Sequence, residues 1–354
     1  MRKTVLSLLC ALSLLLTLTS CGKEPEAAQS PQSVLEAAGG LSAEETLLTV
    51  DGREVAAWQY LYWLAEVTDG IRSYYEGAQK PLDWSEPLED GTLGDYAKDQ
   101  ALKSAALYAT VETWAQRCGC ALTEADRSAI AADWAARVKE NGGEESYLTL
   151  LAQKGLDRAG AEHLAQVHYL YLKLCQLAAR PDGPLWAGEE ELAAFFQDSG
   201  YLTVDLILVP KTAGADASAL DTCRQKAAGL FSQLNQSGDV TADFAALRAG
   251  TAVAAQYPKT LLPGDGTLPE PFAQAAAGLS PGQLSGILEA EEGYGILLRL
   301  PDDPQAVRQD FLDRQLQTEA ETAPVEVTER YQALDTAAFC AELDQARAAL
   351  RRTP

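Results

Sequence analysis

The spacing of hydrophobic residues along the chain changes character near residue 200. Before this point, apolar residues recur three or four positions apart, as on one face of a helix. This pattern, with its capping and Gly signals, predicts helices from about Ala56, over 93–117, from Thr123 to Asn141, over 144–153, over 157–179 and within "AGEEELAAFFQDSG" at 187–200. Thr123 and Asp126 have the spacing of a capping box.

The segment "YLTVDLILVP", residues 201–210, is predicted to be a strand, because it alternates and then becomes continuously apolar. A helix is predicted over 217–236, a short helix after Thr241 and another near Phe272. "QLSGILEAEEGYGILLRL" predicts two strands around a turn at 291–293. A strand, helices and a terminal hairpin indicate a compact α+β domain over 200–301.

Beyond Pro304 the pattern becomes helical again, with one short strand in "APVEVTERY" and a final helix over 336–351. Earlier in the chain, "TLLTVDGREV" at 46–55 predicts a hairpin that turns at Asp51-Gly52. The predicted fold class is therefore α+β. A helical domain over 46–195 is completed by a returning segment over 305–350, and the domain at 200–301 is inserted between them.

The N-terminus has the pattern of a secretory signal over 1–20, with Arg2 and Lys3 before an apolar run that ends in "LTSC". This ending resembles the bacterial lipobox, which implies cleavage before Cys21 and lipid on its thiol. The alternative is an ordinary signal peptide with an incidental cysteine. Residues 21–45, rich in Pro, Ala, Gly, Ser and Glu, are predicted to be a flexible tether. No later segment has the length of a membrane-spanning helix.

The net charge of −23 argues against nucleic acid as a partner, because so acidic a surface repels phosphate backbones. It favours solubility and basic or neutral partners. Five cysteines remain outside the N-terminal segment, and we expect mostly packed, free thiols. His163 and His168 are five residues apart and do not stack on one helix face. We expect no metal site and no cofactor, and the sequence sets no oligomeric state.

Three stretches resemble PrsA/SurA-type extracytoplasmic foldases. "TVDGREVAAWQYLYWL" is similar to the start of their helical chaperone domain, and "GEESYLTLLAQKGLDRAGAEHLAQVHYLYLKL" to its later helices. The most specific stretch, "LPEPFAQAAAGLSPGQLSGILEAEEGYGILLRL" at 268–300, is similar to the second half of a parvulin domain. The resemblance implies a lipid-anchored, extracytoplasmic chaperone whose partners are unfolded or partly folded secreted polypeptides. It also implies a domain of the peptidyl-prolyl cis/trans isomerase type.

The residues that the resemblance places in the parvulin pocket are mostly replaced here. Leu206 and Gly295 stand where the family has two histidines, Glu292 stands for a Ser or Thr, and Leu268 stands for a Met; Phe272 alone matches. We therefore name no catalytic residue and leave enzymatic activity open. Leu268 and Phe272 either pack a proline ring or belong to the hydrophobic core. Asp205, in the same strand, is expected to face solvent.

The helix that begins near Ala56 carries an aromatic cluster of Trp58, Tyr60, Tyr62 and Trp63. Core packing explains part of it. The four side chains cannot all share one narrow face, so some of them are candidates for a client-binding cradle.

Three functions compete at this point. The first is a membrane-anchored chaperone or foldase for secreted proteins, with a parvulin-type domain that is weak or inactive as an isomerase. The second is an active isomerase with a remodelled pocket. The third, a non-chaperone binding lipoprotein, is disfavoured because the chain lacks two alternating β/α lobes.

Overall fold

The computed structural model describes residues 32–351, except 213 and 215. The predicted signal peptide, Cys21 and the first part of the predicted tether lie outside the described residues. The chain divides into two compact units. Of the described residues, 32–186 and 312–351 form one unit, and those within 187–311 form the other.

The first unit is mainly helical. Its elements before the insertion are α1 (Gln32–Gly39), β1 (Thr46–Val50), β2 (Arg53–Ala56), α2 (Ala57–Gly77), β3 (Pro87–Leu88), β4 (Gly91–Thr92), α3 (Leu93–Arg117), α4 (Glu124–Glu140), α5 (Glu144–Gln153) and α6 (Arg158–Ala178). Asp51 and Gly52, between β1 and β2, both have positive φ angles, as the predicted turn requires. The predicted capping box also forms, because the Asp126 carboxylate accepts from the Thr123 N–H at 2.6 Å.

The second unit is α+β. It contains α7 (Glu189–Ser199), β5 (Leu202–Pro210), α8 (Ala217–Asn235), α9 (Val240–Arg248), β6 (Lys259–Leu261), α10 (Glu270–Gly278), β7 (Leu288–Glu289) and β8 (Gly293–Arg299), followed by a 3₁₀ turn at Pro304–Val307. The sheet is antiparallel in the order β6-β5-β8-β7. One face packs against α10, and the other packs against α8 and α9.

The chain then continues through α11 (Arg308–Thr322), β9 (Val325–Val327), α12 (Glu329–Gln332) and α13 (Thr336–Leu350). β9 pairs antiparallel with β1 and completes the sheet β2-β1-β9. The Arg347 guanidinium, on α13, donates to both Asp69 carboxylate oxygens at 2.9 Å and to the Gln153 carbonyl at 2.7 Å. The predicted fold class, a helical domain completed by a C-terminal helix with an inserted α+β domain, is confirmed.

Two details differ from the sequence-based prediction. The tether prediction is wrong for 32–45, because α1 is a helix in which Val34 and Leu35 are buried, and it packs against α13. The helix α7, which we placed in the helical domain, lies in the α+β unit, where Phe196 packs with Tyr201 and Val307. In both cases the segment is fixed by residues far from it in sequence, which local pattern does not reveal.

Candidate functional site

The pair of strands β5 and β8 positions the residues that the resemblance assigns to a pocket. Their register places Leu206 opposite Leu297 and Leu208 opposite Gly295. Because residues two apart in a strand share a face, these four residues lie on one face of the sheet. This is the face that packs against α10.

Gly295 lies directly under the ring of Phe272, which comes from α10. A Cβ atom at position 295 would be 2.5 Å from Phe272 Cζ, 2.6 Å from its Cε2 and 3.3 Å from Leu206 Cδ1. Real Cβ atoms do not approach that closely, so the Phe272 ring occupies the space of a side chain at 295. The structure thus brings Leu206, Phe272 and Gly295 together, but as packed core.

Leu268 belongs to the same apolar cluster, and Phe272 is fully buried within it. Of the two readings left open for these residues, this packing favours the core over a proline-binding pocket. Glu292 is separate from this group: it is exposed in the turn before β8, where its carbonyl accepts from the Lys211 N–H at 3.0 Å. No polar side chain among these five positions faces the Phe272 ring.

Asp205 does not face solvent, so our expectation for it is wrong. Its side chain is buried on the opposite face from Leu206, and Oδ1 lies 3.1 Å from Arg248 Nε at the end of α9. Oδ1 also accepts from the Leu206 N–H at 2.9 Å. Burial raises the pKa of Asp205, and the Arg248 charge and the Leu206 hydrogen bond lower it in part. The strand carries an acid because a distant arginine neutralises it.

The aromatic cluster of α2 is part of the core of the helical unit. Trp58, Tyr60, Tyr62 and Trp63 are all buried. Aromatic partners contact the helix from several elements. Trp58 packs edge-on against His163, Tyr60 packs edge-on against Tyr331, and Trp63 packs at a tilt against Tyr108. The Tyr60 hydroxyl donates to the Lys98 carbonyl at 3.2 Å. None of the four is an exposed surface for a client in this structure, which corrects that interpretation.

The sequence alone did not reveal which large apolar side chains are exposed on the surface. Among the described residues, four large hydrophobic side chains are exposed: Tyr74, Leu88, Tyr96 and Leu172. Three of them fall between the end of α2 and the first turn of α3. The sequence does carry a signal there, because the acid-rich stretch 74–99 also contains aromatic and leucine residues.

The described residues show no group of metal-binding side chains. His163 Nε2 lies 2.9 Å from Gln59 Nε2 and 3.8 Å from a Glu112 carboxylate oxygen, at the edge of a small pocket in the helical unit. The five described cysteines are free thiols, of which Cys340 is buried. Among the described helices, none combines the length and apolarity needed to cross a membrane.

Gly295→Ala is expected to destabilise the α+β unit by about 1–3 kcal/mol, because the new methyl group overpacks the site that Phe272 fills. In a Phe272→Leu background, the same substitution is expected to cost less, because the smaller side chain leaves room. Urea unfolding of the four chains measures this coupling. Gly286→Ala is the matched control, since a Cβ there meets no atom within 4 Å. Equal costs in both backgrounds would contradict the close packing.

No protein-family model matches the chain, and no curated protein matches its sequence. Solved structures to which it is similar include PrsA from Bacillus subtilis, at 15% identity over 75% of this chain and 93% of that chain, with a TM-score of 0.27. The foldase PrsA from Lactococcus lactis is 13% identical over 85% and 99%, with a TM-score of 0.30. A SurA-like chaperone from Campylobacter jejuni is 12% identical over 78% and 92%, with a TM-score of 0.23. By name, these structures are PrsA proteins, one of them called a foldase, and a SurA-like chaperone.

Proposed function

We propose that this protein is a membrane-anchored extracytoplasmic chaperone or foldase that assists the folding of secreted proteins, and that its inserted domain has little or no isomerase activity. The observation that carries the proposal is the Phe272 ring packed on Gly295 beside Leu206. The inserted domain has a four-stranded sheet, and the two positions that the resemblance assigns to histidines hold a leucine and a glycine on its packed face. A sheet face filled in this way supports the part of the proposal that gives the domain little or no isomerase activity, and the chaperone part is proposed from the resemblance.

Isomerisation of an X-Pro bond requires groups that stabilise a twisted amide, against a barrier of about 18–20 kcal/mol. The alternative of a remodelled active pocket needs polar substitutes near Phe272. Asp205 is on the opposite face of β5, paired with Arg248, and Glu292 is exposed in a turn. These positions do not favour the alternative. For the domains we propose a helical domain that begins at 46 and ends before α7, an inserted domain that runs from α7 to 301, and a segment over 305–350 that returns to the helical domain.

The whole chain from residue 22 is expected to suppress aggregation of a denatured client, and to accelerate isomerisation of a proline-containing peptide little or not at all. Light scattering during client refolding measures the first activity, and a protease-coupled or NMR exchange assay measures the second. A known active parvulin serves as the positive control for isomerisation. An isomerisation rate constant comparable with that of the control would refute the proposal that the domain has little or no isomerase activity. If the chain had no effect on client aggregation, the proposed chaperone function would be refuted.

Membrane attachment in this proposal depends on lipid at Cys21, which lies outside the described residues. Two or more acyl chains give stable attachment, whereas one chain does not. Cys21→Ala is therefore expected to leave the protein unprocessed or to release it from the membrane fraction, as measured by fractionation and immunoblotting. Ser20→Ala, which keeps the cysteine, is the matched control. Normal processing and membrane retention of Cys21→Ala would contradict the lipid anchor.

A further inference from the structure

Three exposed apolar side chains occur where α2 ends and α3 begins. They are Tyr74 on α2, Leu88 on β3 and Tyr96 in the first turn of α3, with exposed fractions of 66%, 41% and 41%. We call these three residues the tyrosine surface. Single exposed apolar side chains are normal in a soluble protein, whereas several that one partner can cover together mark an interaction site.

The segment that presents Leu88 is held in place by specific contacts. The Tyr75 hydroxyl donates to a Glu86 carboxylate oxygen at 2.7 Å, which joins the end of α2 to this segment. The Leu93 N–H donates to the Glu86 carbonyl and the Gly94 N–H to the Trp84 carbonyl, both at 2.9 Å, which joins the segment to α3. The tyrosine surface is therefore a fixed feature of the helical unit, and binding to it requires little ordering.

The charge around the tyrosine surface is strongly negative. Residues 74–99 include seven acidic residues and two lysines. One of the lysines, Lys98, directs its ammonium group to the carbonyls of Tyr331 at 3.3 Å and Leu334 at 2.8 Å. Glu76, Glu89 and Asp90 have exposed side chains close in sequence to the apolar residues. A partner that covers this surface must complement both apolar and negative groups.

We infer that the tyrosine surface binds extended polypeptide segments in which apolar and basic side chains are mixed. This inference rests on the proposed chaperone function and names the class of client segment and where it binds. Aromatic and aliphatic side chains of the segment would cover Tyr74, Leu88 and Tyr96, while its lysines and arginines would lie against the surrounding carboxylates. A second copy of this chain would bring the same acidic rim and a net charge of −23 against it, which opposes self-association through this surface.

Peptide binding to the whole chain from residue 22 tests the inference. Three fluorescently labelled peptides are compared by anisotropy: one alternates Lys and Phe, one alternates Glu and Phe, and one alternates Lys and Ser. The Lys/Phe peptide is expected to bind about tenfold more tightly than either of the others, because it alone supplies both kinds of contact. Raising the salt concentration is expected to weaken its binding.

A variant with Tyr74→Ser, Leu88→Ser and Tyr96→Ser is expected to bind the Lys/Phe peptide about tenfold more weakly. Leu172→Ser is the matched control, because Leu172 is in the same unit and has an exposed fraction of 37%, but lies on α6. The Leu172→Ser variant is expected to bind the Lys/Phe peptide as tightly as the parent does. A variant with Glu76→Gln, Glu89→Gln and Asp90→Asn is expected to lose the preference for Lys and the salt dependence. Circular dichroism and thermal unfolding check that each variant is folded.

Binding of the Lys/Phe peptide by the triple serine variant as tightly as by the parent would overturn the inference. A parent chain that prefers the Glu/Phe peptide would overturn it too, as would a parent that sediments as a dimer while the serine variant is a monomer. Aggregation assays separate this failure from that of the proposed function. If the parent and the serine variant suppress client aggregation equally well, only the tyrosine surface is wrong; if neither suppresses it, the chaperone proposal fails.

Discussion

Replacing residues 188–310 with a short Gly/Ser linker is expected to leave a folded helical unit that still suppresses client aggregation. Ending the chain at residue 334 is expected to leave it largely unfolded. The hydrophobic clusters of the inserted unit are built from residues within 187–311, so their removal takes no core residue from the helical unit. Domains inserted in this way can often be removed and the chain rejoined.

The C-terminal truncation is different, because α13 contributes core residues to the helical unit. Phe339, Cys340 and Leu343 are buried, and Arg347 is held by Asp69 and Gln153. Loss of one buried Phe or Leu side chain typically costs about 2–5 kcal/mol, and a native domain is stable by about 5–15 kcal/mol. Removing all of α13 therefore exceeds the stability that the unit is expected to have.

Circular dichroism, urea unfolding and aggregation assays measure both outcomes. A chain ending at residue 351, which keeps α13, is the control for the truncation. A linker variant that folds but no longer suppresses aggregation would assign client binding to the inserted unit. Cooperative unfolding of the chain that ends at 334 would show that α13 is peripheral.

Much of the secondary structure follows from the sequence. The predicted bounds of α3 and α5 agree with the structure to the residue, and β5 and β8 were identified from their apolar runs. Local signals determine these elements: a capping box starts α4, and Gly200 with a positive φ ends α7. The strand β6 was missed because its three residues have no period of their own and are fixed by pairing with β5.

The candidate site shows why spacing alone was insufficient. The replacement of two family histidines at Leu206 and Gly295 was readable from the sequence, but the ring that fills the space over Gly295 was not. Phe272 comes from α10, which follows β5 by about sixty residues and is placed by the packing of the whole sheet face. The prediction that part of the α2 aromatic cluster is exposed was wrong for the same reason: the side chains that cover the cluster come from α3, α6 and α12, which are distant in sequence.

Arg248→Met is expected to destabilise the α+β unit by about 3–5 kcal/mol at neutral pH, because it leaves the buried Asp205 carboxylate without its counter-charge. Arg248 Nε is 3.1 Å from Asp205 Oδ1 but does not direct a hydrogen bond to it, so the attraction of charges is the main contribution of this contact. The Arg248 Nη1 donates separately to the Ala254 carbonyl at 3.1 Å. Without the arginine, the carboxylate keeps only the hydrogen bond from the Leu206 N–H.

The loss is expected to depend on pH in a defined direction. Burial raises the pKa of Asp205 in the folded chain above its unfolded value of about 4. A carboxyl group with a raised folded pKa contributes stability that is full below the unfolded pKa and is lost as the pH rises through the folded pKa. Removing Arg248 takes away an influence that lowers this pKa. The deficit of Arg248→Met relative to the parent is therefore expected to shrink as the pH falls.

Neutralising the carboxyl group in the variant is expected to restore most of the lost stability. Asp205→Asn combined with Arg248→Met removes both charges and keeps an oxygen that accepts from the Leu206 N–H. Urea unfolding at neutral and acidic pH, with the two single variants and the double variant, gives the coupling between the two positions. Arg224→Met is the matched control, because Arg224 is exposed on α8 in the same unit. The contrary outcome is a loss of unfolding free energy in Arg248→Met that is small, independent of pH and unchanged by Asp205→Asn. That result would show that the arginine acts through packing of its side chain, and that the buried charge pair does not determine the stability of this sheet.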